Sequence, residues 1–185
     1  MLFSSSVVLL AVLSPVAGLA GELAPTLKVG DQNLVLNGSG VREKYFLDLY
    51  DAGLYLTQPN NQPAAIIHAD TPMAIRIVIT SRMVSQDKFI KSLQEGFQNS
   101  TQGKVKPIRA EIEKFRQCFA GEIARGDIFD LIYLPGRGVA VLKNGKQKGI
   151  AQGLAFKQAL FGIWLCDRPA DANLKQALLG STTRR

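Results

Sequence analysis

The sequence is poor in the residues that metal and nucleophilic chemistry use. Its 185 residues hold two cysteines, Cys118 and Cys166, and a single histidine, His68. With no histidine near either cysteine, a zinc site or a Cys/His catalytic pair lacks its raw material, and neither metal nor cofactor is expected. The two thiols are also too few for a disulfide-dense scaffold. An oxidising compartment permits one Cys118–Cys166 bridge, and the sequence leaves that pairing open.

Long apolar runs are missing as well. No stretch reaches the roughly 18 to 20 residues of a bilayer-spanning helix. The most apolar one, VVLLAVL at residues 7–13, ends at Ser14-Pro15 and is followed by Gly18 and Ala20, the small residues of a signal-peptidase site. Residues 1–20 therefore read as a signal peptide, although MLFSSS brings no Lys or Arg to its start. The expectation is an exported, periplasmic protein whose residues 21–185 form one domain, without an integral membrane span. Acidic residues are the minority, 15 against 22 Lys and Arg, for a net charge of +7. The basic residues are scattered singly, and their only tight cluster is Arg184-Arg185. Without a recognised basic motif, nucleic acid is not an expected partner.

What is present suits a globular core: 46% hydrophobic and 20% charged residues. LKVGDQNLVLNGSG reads as two short strands joined at Gly30-Asp31. Residues 44–56 read as a long strand, Pro59 to Pro72 as a loop, and MAIRIVIT (73–80) as a strand of strict alternation. From the N-cap Ser85 the period changes, with Phe89, Leu93 and Phe97 recurring every four residues. A second amphipathic helix follows Pro107, carrying Ile108, Ile112, Phe115 and Phe119. Strands return over 126–153, turning at Pro135-Gly136 and at Asn144-Gly145, a type I′ hairpin signal. A helix with Phe156, Leu160, Ile163 and Trp164 and a short one ending at Gly180 close the chain. Strands, helices, strands, helices is the order of an α+β fold with an antiparallel sheet under a helical layer.

The segment GSGVREKYFLDLYDAGLYL, 38–56, carries the sharpest functional question. Gly38-Ser39-Gly40 lacks the third glycine of a dinucleotide fingerprint, since Glu43 stands there, and it precedes a strand where that motif needs a helix. Ser39 is no nucleophile elbow, because Asn37 and Val41 occupy the flanking glycine positions, and it reads as a turn residue. Along one strand, Arg42, Lys44, Phe46, Asp48 and Tyr50 share a face and Tyr45, Leu47, Leu49 and Asp51 the other. Acids on both faces imply a phase slip, hence a β-bulge or an end-on cavity, near Leu49 to Ala52. From pattern alone Arg42 reads as a solvated residue on an edge strand. Asp127 and Asp130 read as structural, and the helical aromatics with Trp164 as core.

Taken together, GSGVR, a strand ending AGLYL, GDIFDLIYLPGRGVAVLKNGK, FKQALFGIWL and LLG resemble the exported bacterial chalcone isomerase-like proteins over about residues 32–180. The resemblance implies an open-faced β-sandwich, a large antiparallel sheet covered by helices with a ligand cleft between. Arg42 matches the arginine that stabilises an oxyanion in the plant isomerases and holds a carboxylate in the fatty-acid-binding members, a role suited to a guanidinium fork. Tyr50 stands where the family has a catalytic threonine. The catalytic tyrosine that precedes the first helix in the plant enzymes has no counterpart in SRMVSQDKF. The expectation is thus a non-catalytic binder of a small amphipathic anion such as a fatty acid, with Arg42 and Tyr50 as ligand-binding residues. The alternatives are an isomerase or lyase acting on a phenolic enone, and an interaction module using an edge strand.

Overall fold

A computed structural model describes residues 23–181. The expected signal peptide and Arg184-Arg185 lie outside the described residues. Seven strands form one antiparallel sheet in sequence order: Thr26–Val29 (β1), Gln32–Lys44 (β2), Leu47–Leu56 (β3), Met73–Ile79 (β4), Ile128–Leu134 (β5), Gly138–Lys143 (β6) and Lys146–Ala151 (β7). Five α-helices accompany it: Pro63–His68 (α1), Gln86–Ser100 (α2), Arg109–Gln117 (α3), Leu154–Leu165 (α4) and Ala172–Leu178 (α5). The α+β expectation holds, and so does the helical layer on one face of the sheet.

Alternation decides which strand residues meet that layer. Tyr50, Ala52, Leu54 and Leu56 of β3 and Met73, Ile75, Ile77 and Ile79 of β4 join Phe129 and Leu131 of β5 in the main core. Phe89, Leu93 and Phe97 of α2 and Phe115 of α3 close over them, as their helical spacing requires. Ser85 caps α2, its side chain accepting from the Lys88 N–H at 3.4 Å. The opposite sheet face buries a smaller cluster of Leu27, Val29, Leu34, Tyr55 and Ala74. There Arg76 and Asp130, cross-strand partners on β4 and β5, join through two hydrogen bonds of 2.7 and 3.1 Å. Asp127 accepts from the Ala124 N–H and pairs with Lys143. Both aspartates thus have partners within the sheet and its adjoining loops.

Several local expectations need correction. The strand read as 44–56 is interrupted: Lys44 pairs with Leu47, so Tyr45 and Phe46 form a two-residue turn with φ of 53° and 64°. The supposed single strand is therefore the end of β2, a turn, and β3. Nor do Gly38, Ser39 and Gly40 form a turn, because β2 runs through them and they pair with Leu54, Gly53 and Ala52. The Pro59 to Pro72 loop contains α1, started by Pro63. Its C-terminal carbonyls are met by Lys157, whose Nζ donates to Ile66, Ile67 and Ala69 oxygens at 2.8, 2.9 and 2.7 Å. Lys157 is fully buried, and its ammonium also lies over the Tyr133 and Phe161 rings. Cys118 and Cys166 are free thiols, so the permitted bridge is not made. Cys118 packs against Gly149 of β7, whereas Cys166 ends α4.

Candidate functional site

The site is built where the β2–β3 hairpin meets the start of α2. A cavity of about 350 Å³ opens there, within the range of about 300 to 1,000 Å³ typical of small-molecule sites. Leu47, Leu49, Val84 and Phe89 form its apolar wall, and Tyr50 lines it. Lys44, Lys88 and Lys91 contribute positive charge, with Glu95 the acid among the lining residues.

A bulge shapes this end of the hairpin. Arg42 pairs with Tyr50 and Glu43 with Asp48, leaving Leu49 as the extra residue on β3. The phase slip expected near Leu49 to Ala52 is this bulge, which turns both Leu49 and Tyr50 to the cavity. Phe89 meets Tyr50 edge-on at 6.3 Å between ring centres, and stacks on Phe129 at 5.8 Å. Aromatic packing thus lines the inner part of the site.

Arg42 and Tyr50, eight positions apart in sequence, stand directly opposite one another on neighbouring strands. The Tyr50 ring is buried, and its hydroxyl accepts a hydrogen bond from Trp164 Nε1 at 3.0 Å. Burial raises its pKa above the ordinary 10.0, although the Trp164 bond and the nearby Arg42 charge oppose that rise. At neutral pH the residue is a protonated phenol. Arg42 is not solvated, since its side chain is only 11% exposed. Its Nη1 donates to Asp171 Oδ2 at 3.2 Å and to the Glu43 carbonyl at 2.7 Å. The edge-strand reading of Arg42 is therefore corrected: it sits between Tyr50 and a carboxylate, beside the cavity rather than on its wall.

Asp171 holds two elements at once. Oδ1 caps α5 through the N–H groups of Asn173 and Leu174, while Oδ2 takes Arg42 and the Glu43 N–H. Close packing of α5 on β2 makes this geometry, and the two glycines allow it. A Cβ on Gly38 would lie 2.1 Å from the Ala177 carbonyl oxygen, and one on Gly40 would lie 2.7 Å from the Ala177 Cβ. A more polar groove of about 660 Å³ runs between these elements, bordered by Ser39, Glu43 and Asp171. Its carboxylates suit an anion less well than the lysine-bordered cavity does.

Asp171 was missed in the sequence, where ADANLKQALLG carried only a helix signal. Trp164 was expected as core and is core, but its bond to Tyr50 joins elements far apart in the chain. Thr80, at the end of β4, has a buried hydroxyl without a partner among the described residues, and its N–H donates to the Leu49 carbonyl at 3.2 Å beside the bulge. Val84 lines the cavity just before α2, in the segment that lacks a tyrosine. Among the described residues no cluster of three metal-binding side chains occurs, and no helix is long and apolar enough to cross a membrane.

Comparison with known proteins agrees with this architecture. A fatty-acid binding protein of Arabidopsis thaliana superposes with a TM-score of 0.64 at 19% identity, over 82% of this chain and 88% of that one. A comparison with curated protein sequences finds no match. The family model described as chalcone isomerase-like matches residues 16–180, and with the sheet, the helical layer and the Arg42–Tyr50 pairing in place, the chain belongs to the chalcone isomerase-like family.

Proposed function

We propose that this protein is a non-catalytic carrier of a small amphipathic anion of fatty-acid type, and that it acts after export to the periplasm. The observation that carries the reading is the apolar cavity beside the cross-strand pair of a half-buried Arg42 and a buried Tyr50, with lysines at its border. An apolar chain would lie along Leu47, Leu49, Val84 and Phe89. Its acid group would reach the Tyr50 hydroxyl at the cavity wall, with Arg42 directly opposite Tyr50 supplying the charge; that guanidinium has five donors and commits one nitrogen to Asp171 and the Glu43 carbonyl. The likeness to a fatty-acid binding protein supports this ligand class, and the leader-like residues 1–20 support export.

The isomerase alternative draws less support. Tyr50 is held by Trp164 with a raised pKa, so it is poorly placed to take a proton at neutral pH. Titration of the protein with fatty acids, wild type beside Arg42→Ala, tests the carrier reading. Saturable binding that weakens in the variant is expected. Equal binding by both proteins, or none by either, removes it. Incubation with chalcones should leave the enone absorbance unchanged.

A further inference from the structure

The hairpin tip is built against its own conformational preference. Both turn residues lie in the left-handed region, φ of 53° at Tyr45 and 64° at Phe46, which a two-residue hairpin normally gives to Asn-Gly. This chain uses that solution elsewhere: Asn144 and Gly145 join β6 to β7 with φ of 51° and 76°. Two aromatic residues in the same role gain nothing from burial, because Tyr45 is 83% and Phe46 103% exposed. Among the described residues the exposed large hydrophobics are these two with Leu47 and Met83. Tyr45 and Phe46 are the turn, Leu47 opens β3 and Met83 precedes α2; Tyr45, Leu47 and Met83 border the cavity, and Phe46 stands between Tyr45 and Leu47 in sequence.

Charge accompanies this apolar tip. Lys44, Lys88 and Lys91 line the same opening, Arg82 adjoins Met83, and the Lys44 ammonium lies 5.6 Å from the Tyr45 ring centre. Glu95 is the lining acid, Asp87 lies on α2, and the acids Glu43 and Asp48 form a cross-strand pair one step behind the tip. Exposed aromatics at a rim whose lining holds Lys44, Lys88 and Lys91 against Glu95, on a chain of net charge +7, fit the interface of an anionic bilayer, where rings sit at headgroup depth and cations meet lipid phosphates.

We propose that the Tyr45-Phe46 tip, with Leu47 and Met83, inserts into the surface of an anionic lipid bilayer and sets the mouth of the cavity against it. In the carrier reading this lets an amphipathic ligand pass between bilayer and cavity without crossing water. Docking itself requires no ligand, so the two ideas fail separately.

The test is co-sedimentation of the exported chain, residues 21–185, with phosphatidylglycerol-containing vesicles, beside vesicles of phosphatidylcholine alone. The wild type should bind the anionic vesicles, more weakly as salt rises. Tyr45→Asn with Phe46→Gly should lower partitioning roughly tenfold or more. Its thermal transition should stay where it is or rise, because the new turn is the favoured one, and this excludes misfolding as the cause. Arg42→Ala should still dock. Retention of vesicle binding by the double variant overturns the proposal. Equal binding to both vesicle types overturns its electrostatic part, and no binding by the wild type overturns it whole and gives the tip to a protein partner.

Discussion

Arg42 Nη1 lies 3.2 Å from Asp171 Oδ2, each side chain only 11% exposed, and this pair ties β2 to the N-cap of α5. A ligand carboxylate approaching Arg42 therefore meets a guanidinium that already has an anionic partner. Asp171→Asn separates the two roles of the aspartate, because asparagine caps a helix as well as aspartate does but offers no charge. The variant should bind a fatty acid several-fold more tightly than wild type in the same titration, while its stability falls by about 1 to 3 kcal/mol. Unchanged or weakened affinity would show that Arg42 is not the anchor.

Gly38 and Gly40 should tolerate no side chain. With the Ala177 carbonyl oxygen 2.1 Å from a Cβ at Gly38, Gly38→Ala must push α5 outward. Chemical denaturation should show a loss of about 1 to 3 kcal/mol. Because α5 carries Asp171, the Arg42 pair should break with it, visible as faster amide exchange at the Asn173 and Leu174 N–H groups.

Lys157 secures α1 by giving each ammonium proton a backbone carbonyl. Lys157→Met keeps the volume but leaves three carbonyls without that donor, at a cost of about 2 to 4 kcal/mol in urea unfolding. Burial lowers its pKa from 10.5 to about 8. Between those values the folded chain binds fewer protons than the unfolded one, so this residue's contribution makes stability rise with pH across that window. The rise should disappear in Lys157→Met.

The tyrosines act in the opposite sense. Burial, then the hydrogen bond to Asp70, pushes Tyr133 up to about 12, and burial also raises Tyr50 and Tyr55. A phenol raised in the folded state contributes stability that is present below its unfolded value near 10 and lost as pH climbs toward 12. Alkaline unfolding should coincide with the rise of phenolate absorbance. Tyr133→Phe should remove part of the loss. Full phenol ionisation at pH 10 with the fold intact would contradict the burial.

Local pattern was enough for the class of fold. Four-residue spacing of Phe89, Leu93 and Phe97 makes one helical face, and alternation at Ile75, Ile77 and Ile79 makes one sheet face; each needs a cover, and the two cover one another. Asn144-Gly145 named its own turn because its residues prefer the required backbone. Tyr45-Phe46 gave no such signal, since aromatics normally avoid that conformation, and so β2 and β3 read as one strand.

Tertiary structure alone decided the site. Sequence order made Arg42 and Tyr50 neighbours in one motif, but strand pairing sets them face to face, and a one-residue bulge at Leu49 turns Tyr50 to the cavity. Asp171 and Trp164, more than a hundred positions away, supply the partners of these two groups. A half-buried guanidinium or a buried hydroxyl must find a partner in three dimensions, and spacing along the chain carries no record of which distant residue packing will bring to it.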